Sequence, residues 1–261
     1  MIDLHCHMLP GIDDGAVDLE TSLAMARLAY ADGIRITACT PHIYPGLYEN
    51  DRAGIERAVQ VFRRELARAG IPLAITTGAD VHLAPDLLSN LKAGRISTLN
   101  NTRYLLLEPP HHVAPPRFED SVFNLAAAGY VPVITHPERL TWIEGHYEIF
   151  ERLAKRGVWM QLTSGSLTGR FGRRPKYWSE KMLDQGMVHI LATDSHGVDA
   201  RPPLLAEGML AAAKWIGTDE AKRLVLERPR AILDNIAPTN VSVPECSSAR
   251  PRGFFRWRRR G

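Results

Sequence analysis

His5 and His7, two residues apart in the opening IDLHCH, are the first side chains in this sequence that can do chemistry. On an extended strand residues i and i+2 face the same way, so both imidazoles can grip one ion. Asp194 and His196, in ATDSHG, form the same kind of pair. Imidazoles combined with carboxylates suit a borderline divalent metal such as zinc, manganese or iron. An isolated HxH is as often just two histidines near a strand end. Here further donors follow at intervals: Asp13 and Asp14 in IDDG, His42 in TPH, Asp80 in GAD, Glu108 in LLLE and His136 in THPER.

These donors close or follow apolar runs that read as strands: 2–5, 34–39, 73–79, 104–108, 131–135, 158–163 and 188–193. Helix-period segments lie between them. Residues 18–32 begin at Asp18, a suitable N-cap, and 51–69 put Ile55, Val59, Phe62 and Leu66 on one face before stopping at Gly70. Further helices are expected over 85–92, 118–128, 145–156, 175–185 and 203–216. Repeated β-α units with apolar strands argue for an α/β fold, a parallel sheet covered by helices. Seven units without a long break favour a single barrel over two domains. In such a barrel every strand C-terminus points to one rim. Five histidines and four carboxylates, distant in sequence, would meet there.

The chain has 261 residues, 45% hydrophobic and 23% charged, enough for one sizeable core. No run reaches the roughly 18 apolar residues of a spanning helix. The N-terminus lacks the basic-then-apolar pattern of a secretory signal. Three scattered cysteines cannot build a disulfide framework, so a cytoplasmic protein is expected. The formal net charge is +3, but residues 250–261 hold six arginines and no acid, which leaves −3 on residues 1–249. The basic character therefore belongs to a tail and not to a nucleic-acid-binding face. We expect a folded domain over 1–237 and a flexible basic tail over 238–261.

The ordered set DLHCH, DDG, TPH, GAD, LLLE, THPER and ATDSHGVDARPP resembles the polymerase-and-histidinol-phosphatase (PHP) superfamily. Within it, GIDDG, AGRISTLNNTRYLLLE and DARPP resemble the manganese-dependent protein-tyrosine phosphatases encoded with bacterial capsule and exopolysaccharide genes. The resemblance runs from residue 1 to about 236. It implies a distorted (β/α)7 TIM-like barrel of the PHP type holding three divalent metal ions, manganese first, with iron or zinc as alternatives. It implies His5, His7, Asp80 and Asp194 at the first site, and Asp14, His42 and His196 at the second. Asp80, Glu108 and His136 would form the third, with Asp80 bridging. One residue departs from the pattern: the family usually has glutamate where this chain has Asp80. The missing methylene shortens the reach by about 1.5 Å. The implied substrate is phosphotyrosine in a protein, and the implied partner a bacterial tyrosine kinase that controls polysaccharide export. A homo-oligomer is compatible with the pattern.

The charge balance agrees with a phosphate substrate. Four carboxylates against three divalent ions leave the pocket positive, which favours a phosphate dianion over a neutral amide or sugar. Water on such ions ionises toward pH 7, and the hydroxide would attack phosphorus in line. Arg139 in HPER and Arg201 in DARPP are the expected phosphate clamp, since guanidinium forks match phosphate oxygens. The alternative for both is an ordinary surface salt bridge. A tyrosyl leaving group, of parent pKa about 10, needs little acid assistance, and the sequence offers no obvious dedicated general acid. The loop IYPGLYEN (43–50), with Tyr44 and Tyr48, can wall the site; the plainer reading is a Pro-Gly turn.

Other features are set aside. Cys246-x5-Arg252 has the spacing of cysteine-dependent phosphatases but lacks the glycine-rich strand-to-helix context. Cys6 and Cys39 read as core residues, and His189 as a core histidine within an apolar strand. His82, His111, His112 and His146 receive no metal role; His111 and His112 follow a double proline and can line the expected mouth. The tail FFRWRRR can touch an anionic lipid surface weakly, or simply be solvated. Two rival functions remain: a PHP phosphoesterase for a small substrate such as histidinol phosphate or a nucleotide, and an inactive scaffold that keeps the barrel.

Overall fold

Apolar runs buried on both faces become parallel strands, because only helices on each side can shield them. The computed structural model describes residues 1–246. Its strands are β1 (Ile2–Cys6), β2 (Ile36–Cys39), β3 (His42–Ile43), β4 (Ala74–Thr77) and β5 (Asp80–His82). They continue as β6 (Tyr104–Glu108), β7 (Val131–Thr135), β8 (Trp159–Thr163) and β9 (Ile190–Ala192). All pairings are parallel, in one sheet ordered β1-β2-β4 and another ordered β3-β5-β6-β7-β8-β9. The second and third expected strands, 34–39 and 73–79, are found as β2 and β4, and each is followed by a short strand outside the expected bounds, β3 and β5. Thr40-Pro41 separates β2 from β3, where proline has no N–H for a ladder. Gly78 lies between β4 and β5.

The short strands put chemistry at strand starts as well as strand ends. Asp80 pairs in register with His42, and His82 with Glu108. The segment after β9 returns to β1 through a parallel bridge between Cys6 and Ser195. There the His7 N–H donates to the Ser195 carbonyl at 2.9 Å, and the Asp194 N–H to the His5 carbonyl at 2.8 Å.

The helices are α1 (Leu19–Ala31), α2 (Arg52–Arg68), α3 (Leu87–Lys92), α4 (Phe118–Ala127), α5 (Ile143–Lys155), α6 (Ser164–Thr168), α7 (Arg173–Asp184) and α8 (Ala206–Ile216). Asp18 caps α1 by accepting from the Thr21 N–H, and Asp51 caps α2 through Gly54. The stripe Ile55, Val59, Phe62 and Leu66 is buried, as its spacing requires. Leu105 and Leu107 of β6 join the cluster formed with these helix faces. Tyr104 and Leu106, alternate residues of the same strand, join a second cluster with Ile2, Leu4, Val133, Trp159 and Ile190.

Besides α6, two helices fall outside the expected segments: α9 (Thr218–Lys222) and α10 (Arg228–Leu233). Charged residues and Pro229 hide their pattern, yet Ile232 and Leu233 close the second cluster. The buried Arg228 pairs with Glu220 at 2.7 Å and donates to the carbonyls of Ser242 (2.8 Å) and Val243 (2.9 Å). Thus 238–246 run against the folded body. The rest of the expected tail, including FFRWRRR and Arg252 of the Cys246 motif, lies outside the described residues. Among the described residues no helix is long and apolar enough to cross a membrane.

Candidate metal centre

Parallel strands bring their C-terminal ends, and the starts of β3 and β5, to one region. His5 lies within β1, His7 just beyond it, and Asp14 in the following loop. His42 and Asp80 open β3 and β5, and Glu108 closes β6. His136 and Asp194 follow β7 and β9 with φ of 34° and 49°, left-handed conformations that non-glycine residues rarely hold.

All nine expected donors meet. The Nε2 atoms of His5 and His7 are 3.1 Å apart. His5 Nε2 lies 3.4 Å from Asp80 Oδ2 and 3.3 Å from Asp194 Oδ1. Asp14 Oδ1 lies 3.4 Å from His42 Nε2 and 3.3 Å from His196 Nε2. His42 Nδ1 is 3.5 Å from Asp80 and 3.6 Å from Glu108. His136 Nε2 is 3.9 Å from Asp80 and 3.7 Å from Glu108.

Donor atoms close enough to share an ion form four overlapping groups: His7-Asp14-His42-His196, His5-His7-Asp80, His5-His136-Asp194 and His42-Asp80-Glu108. His7 is thus as close to the expected second set as to the first, and His42 reaches into the third.

Imidazole nitrogens and carboxylate oxygens are the donors a borderline divalent ion takes. Their hydrogen bonding points the same way. Both oxygens of the fully buried Asp80 lack a hydrogen-bond partner, as do His42 Nδ1, His136 Nδ1 and His196 Nε2. Buried polar atoms are otherwise paired almost without exception. The arrangement fits a cation held among these groups.

The surroundings aim the rings. His7 Nδ1 meets Asp13 Oδ2 at 2.7 Å and His5 Nδ1 meets Gln161 Oε1 at 2.9 Å, so both Nε2 atoms face the cluster. Asp3 accepts from the Thr193 N–H, the Thr193 hydroxyl and the His5 N–H, tying β1 to the end of β9. Burial raises its carboxyl to about 6. The sequence marked Asp13 as a nearby donor outside the nine, and gave Gln161 and Asp3 no role. A glutamine inside the apolar run VWMQLT was the one available signal for Gln161.

Electrostatics divides the imidazoles. Burial pushes His7 down, but Asp13 and Asp194 outweigh it and lift the ring to about 10. His5 is likewise raised by Asp80 and Asp194 against its burial. Burial and the neighbouring His7 lower His42, and take His196 to about 4. Burial works against ionisation of Asp80, yet His5, His136 and His42 hold it well below the ordinary range.

Asp194 splits its two oxygens. Oδ1 faces His5, His7 and His196, while Oδ2 accepts from Arg139 Nη1 and, at 2.6 Å, from Arg201 Nη2. Both expected arginines therefore stand beside the cluster. Arg139 also lies over the Phe171 ring at 4.5 Å. The buried Arg201 Nε has no acceptor.

The Tyr48 ring stacks on His42 and the Tyr44 ring on His82, whose Nδ1 is 3.6 Å from Glu108. His111 lies near His136 and Arg139, and burial with these neighbours lowers it to about 4. His189 packs on Trp159 and accepts from the Met160 N–H, a core histidine as expected. Cys6 and Cys39 are buried, with Cys6 Sγ 2.9 Å from Ser195 Oγ.

Residues 1–234 match the family model described as capsular polysaccharide synthesis, CpsB/CapC. Tyrosine-protein phosphatase YwqE of Bacillus subtilis (strain 168) is 34% identical over 235 residues, 90% of this chain and 92% of that protein. Tyrosine-protein phosphatase CpsB of Streptococcus agalactiae is 30% identical over 244 residues, covering 90% and 99%. Among solved structures, one from a study of YwqE from Bacillus subtilis and CpsB from Streptococcus pneumoniae, described as unique metal-dependent tyrosine phosphatases, superposes with a TM-score of 0.86. It is 34% identical and covers 90% of this chain and 95% of that one. The phosphotriesterase from Mycobacterium tuberculosis is 12% identical with a TM-score of 0.53 over 90% of this chain and 94% of its own, a likeness of fold alone.

Proposed function

Since this chain belongs to the CpsB/CapC family of capsular polysaccharide synthesis, we propose that it is a metal-dependent phosphatase that hydrolyses phosphotyrosine in proteins. Its substrate is a tyrosine kinase of polysaccharide export, met in the cytoplasm. We read the two sheets as one distorted (β/α)7 barrel over 1–237, joined at the Cys6–Ser195 bridge.

The nine donors would hold three divalent ions, manganese first and iron or zinc otherwise. When bound, these ions supply Lewis acidity toward phosphate oxygens and toward water. The chain's own residues do the rest. Gln161 and Asp13 fix the tautomers of His5 and His7. Asp194 holds Arg139 and Arg201 where their remaining N–H groups can meet the equatorial phosphate oxygens during in-line attack by water. A phenolate leaves without a dedicated acid, because its parent pKa is about 10.

The observation that carries the reading is Asp80. A fully buried carboxylate with no hydrogen-bond donor and three imidazoles within 3.9 Å is a cation ligand. The test is turnover of a phosphotyrosyl peptide beside histidinol phosphate, with manganese and after exhaustive chelation, together with Glu108→Ala. We expect preference for the peptide, loss on chelation, and reduced metal content in the variant. Preference for histidinol phosphate, or full activity after chelation, would overturn it.

A further inference from the structure

The loop 43–50 is a built hairpin. Pro45 and Gly46 occupy the centre of a tight turn in which the Leu47 N–H donates to the Tyr44 carbonyl at 3.0 Å. Gly46 has φ +84°, which a type II turn requires at its third position. Tyr44 and Tyr48 then exchange both backbone hydrogen bonds, at 3.0 and 2.8 Å. Residues paired directly across an antiparallel bridge project to the same face. Both rings therefore stand on one side of the hairpin, and that side is the metal centre.

Each ring lies on an imidazole of the centre or its border. Tyr44 stacks on His82 at 3.8 Å between centroids with planes 5° apart. Tyr48 stacks on His42 at 5.6 Å and 13°. The base of the hairpin is pinned by Asn50 Nδ2, which donates to the carbonyls of His42 and Ile12 at 2.9 Å each. Both rings are half-buried, with one side against an imidazole. Leu47 at the apex is 61% exposed and continues the apolar surface away from the centre. The backbone bonds, the Asn50 pins and the two stacks hold the rings in place, and a preorganised wall limits the entropy lost on binding.

We propose that Tyr44 and Tyr48 form an aromatic shelf that selects aryl over alkyl phosphate esters. This inference rests on the phosphatase reading above and names what sets its substrate class. In an aryl ester the ring starts at the leaving oxygen, so a phosphate seated on the cluster brings that ring alongside the nearest wall. An alkyl ester presents no π-face there. Offset or edge-to-face contact with the two tyrosines then favours the aryl ester by about tenfold, the scale of one aromatic pair.

The test uses the metal-loaded full chain and two non-hydrolysable probes, phenylphosphonate and ethylphosphonate, with affinities measured by calorimetry. Tyr44→Ala and Tyr48→Ala should each lower the ratio of aryl to alkyl affinity about threefold, and the double variant about tenfold. Tyr44→Phe and Tyr48→Phe, which keep the rings, should hold the ratio within about twofold of the unmodified chain. The shelf is overturned by a ratio that the double alanine variant leaves unchanged, whether or not both affinities fall. Phe variants that lose the ratio as fully as Ala, or no aryl preference in the unmodified chain, also overturn it. Turnover of a phosphotyrosyl peptide, measured in parallel, separates the two ideas. Its absence in the unmodified chain sinks the phosphatase reading, while the phosphonate ratio speaks to the shelf alone.

Discussion

Arg201→Ala should reduce kcat/KM for a phosphotyrosyl peptide by about 10- to 150-fold while the bound metal stays in place. The magnitude follows from one guanidinium contact. A hydrogen bond to a charged group contributes about 1.5–3 kcal/mol, and about 1.4 kcal/mol is a factor of ten in rate. Arg201 sits at the mouth with its side chain 24% exposed, and its buried Nε lacks an acceptor, so a donor is left for phosphate. Metal content should survive because Asp194 divides its oxygens. The arginines share Oδ2, the imidazoles face Oδ1, and Arg139 remains on Oδ2 when Arg201 is gone. Arg201→Lys should recover only part of the rate, since an ammonium restores the charge without the fork. The assay is steady-state kinetics with elemental analysis of the same samples. A change under about threefold would refute the clamp. Loss of metal together with activity would show that Arg201 acts through Asp194 and not on phosphate.

Gly15→Ala should cut both metal content and kcat/KM, the latter by about 100-fold if His7 shifts by about 1 Å, because the added Cβ would fall 2.0 Å from the His7 carbonyl oxygen and 2.5 Å from its Cβ; unchanged elemental analysis would refute this. His189, buried and lowered to about 3 first by desolvation and then by Arg228, stabilises the fold fully above its unfolded pKa of about 6.5. Falling pH removes that contribution between about 6.5 and 3, at up to about 1.4 kcal/mol per pH unit, so His189→Asn, whose amide oxygen can still accept from Met160, should flatten the acid limb of a urea-unfolding series; an unchanged slope would count against it. Arg228→Met should destabilise the chain by about 3 kcal/mol, the low end for breaking a buried ion pair because Arg223 still reaches Glu220 at 2.9 Å, and a loss below about 1 kcal/mol in denaturant would contradict that account.

What the sequence disclosed depended on how local its cause was. Strands 104–108 and 131–135 were legible to the residue because their apolar runs are continuous and buried on both faces. The short strands β3 and β5, past Thr40-Pro41 and Gly78, were not legible because two or three residues are too few to show a period, and the division into two sheets went with them. Helices α9 and α10 stayed hidden because their buried residues are spread among charges and a proline. The nine donors were legible since their chemistry is unusual at strand ends. Their grouping was not: it turns on ring directions that Gln161 and Asp13 impose, and Gln161 is 156 residues from His5. The stack of Tyr44 on His82 also needed coordinates, since it is set by the β3–β5 register.

That register also bears on the shorter carboxylate. The resemblance implies a glutamate at this position, against which Asp80 is one methylene shorter, about 1.5 Å. Asp80 pairs with His42, and Gly78, two residues earlier, lies so near the previous strand that an added Cβ would meet Thr40 Cγ2 at 2.8 Å and Leu99 Cδ2 at 3.0 Å. A side chain at Gly78 would have to displace those two side chains. Asp80 Oδ2 stands 3.4, 3.5 and 3.9 Å from the imidazoles of His5, His42 and His136. At these distances the aspartate is a member of the cluster.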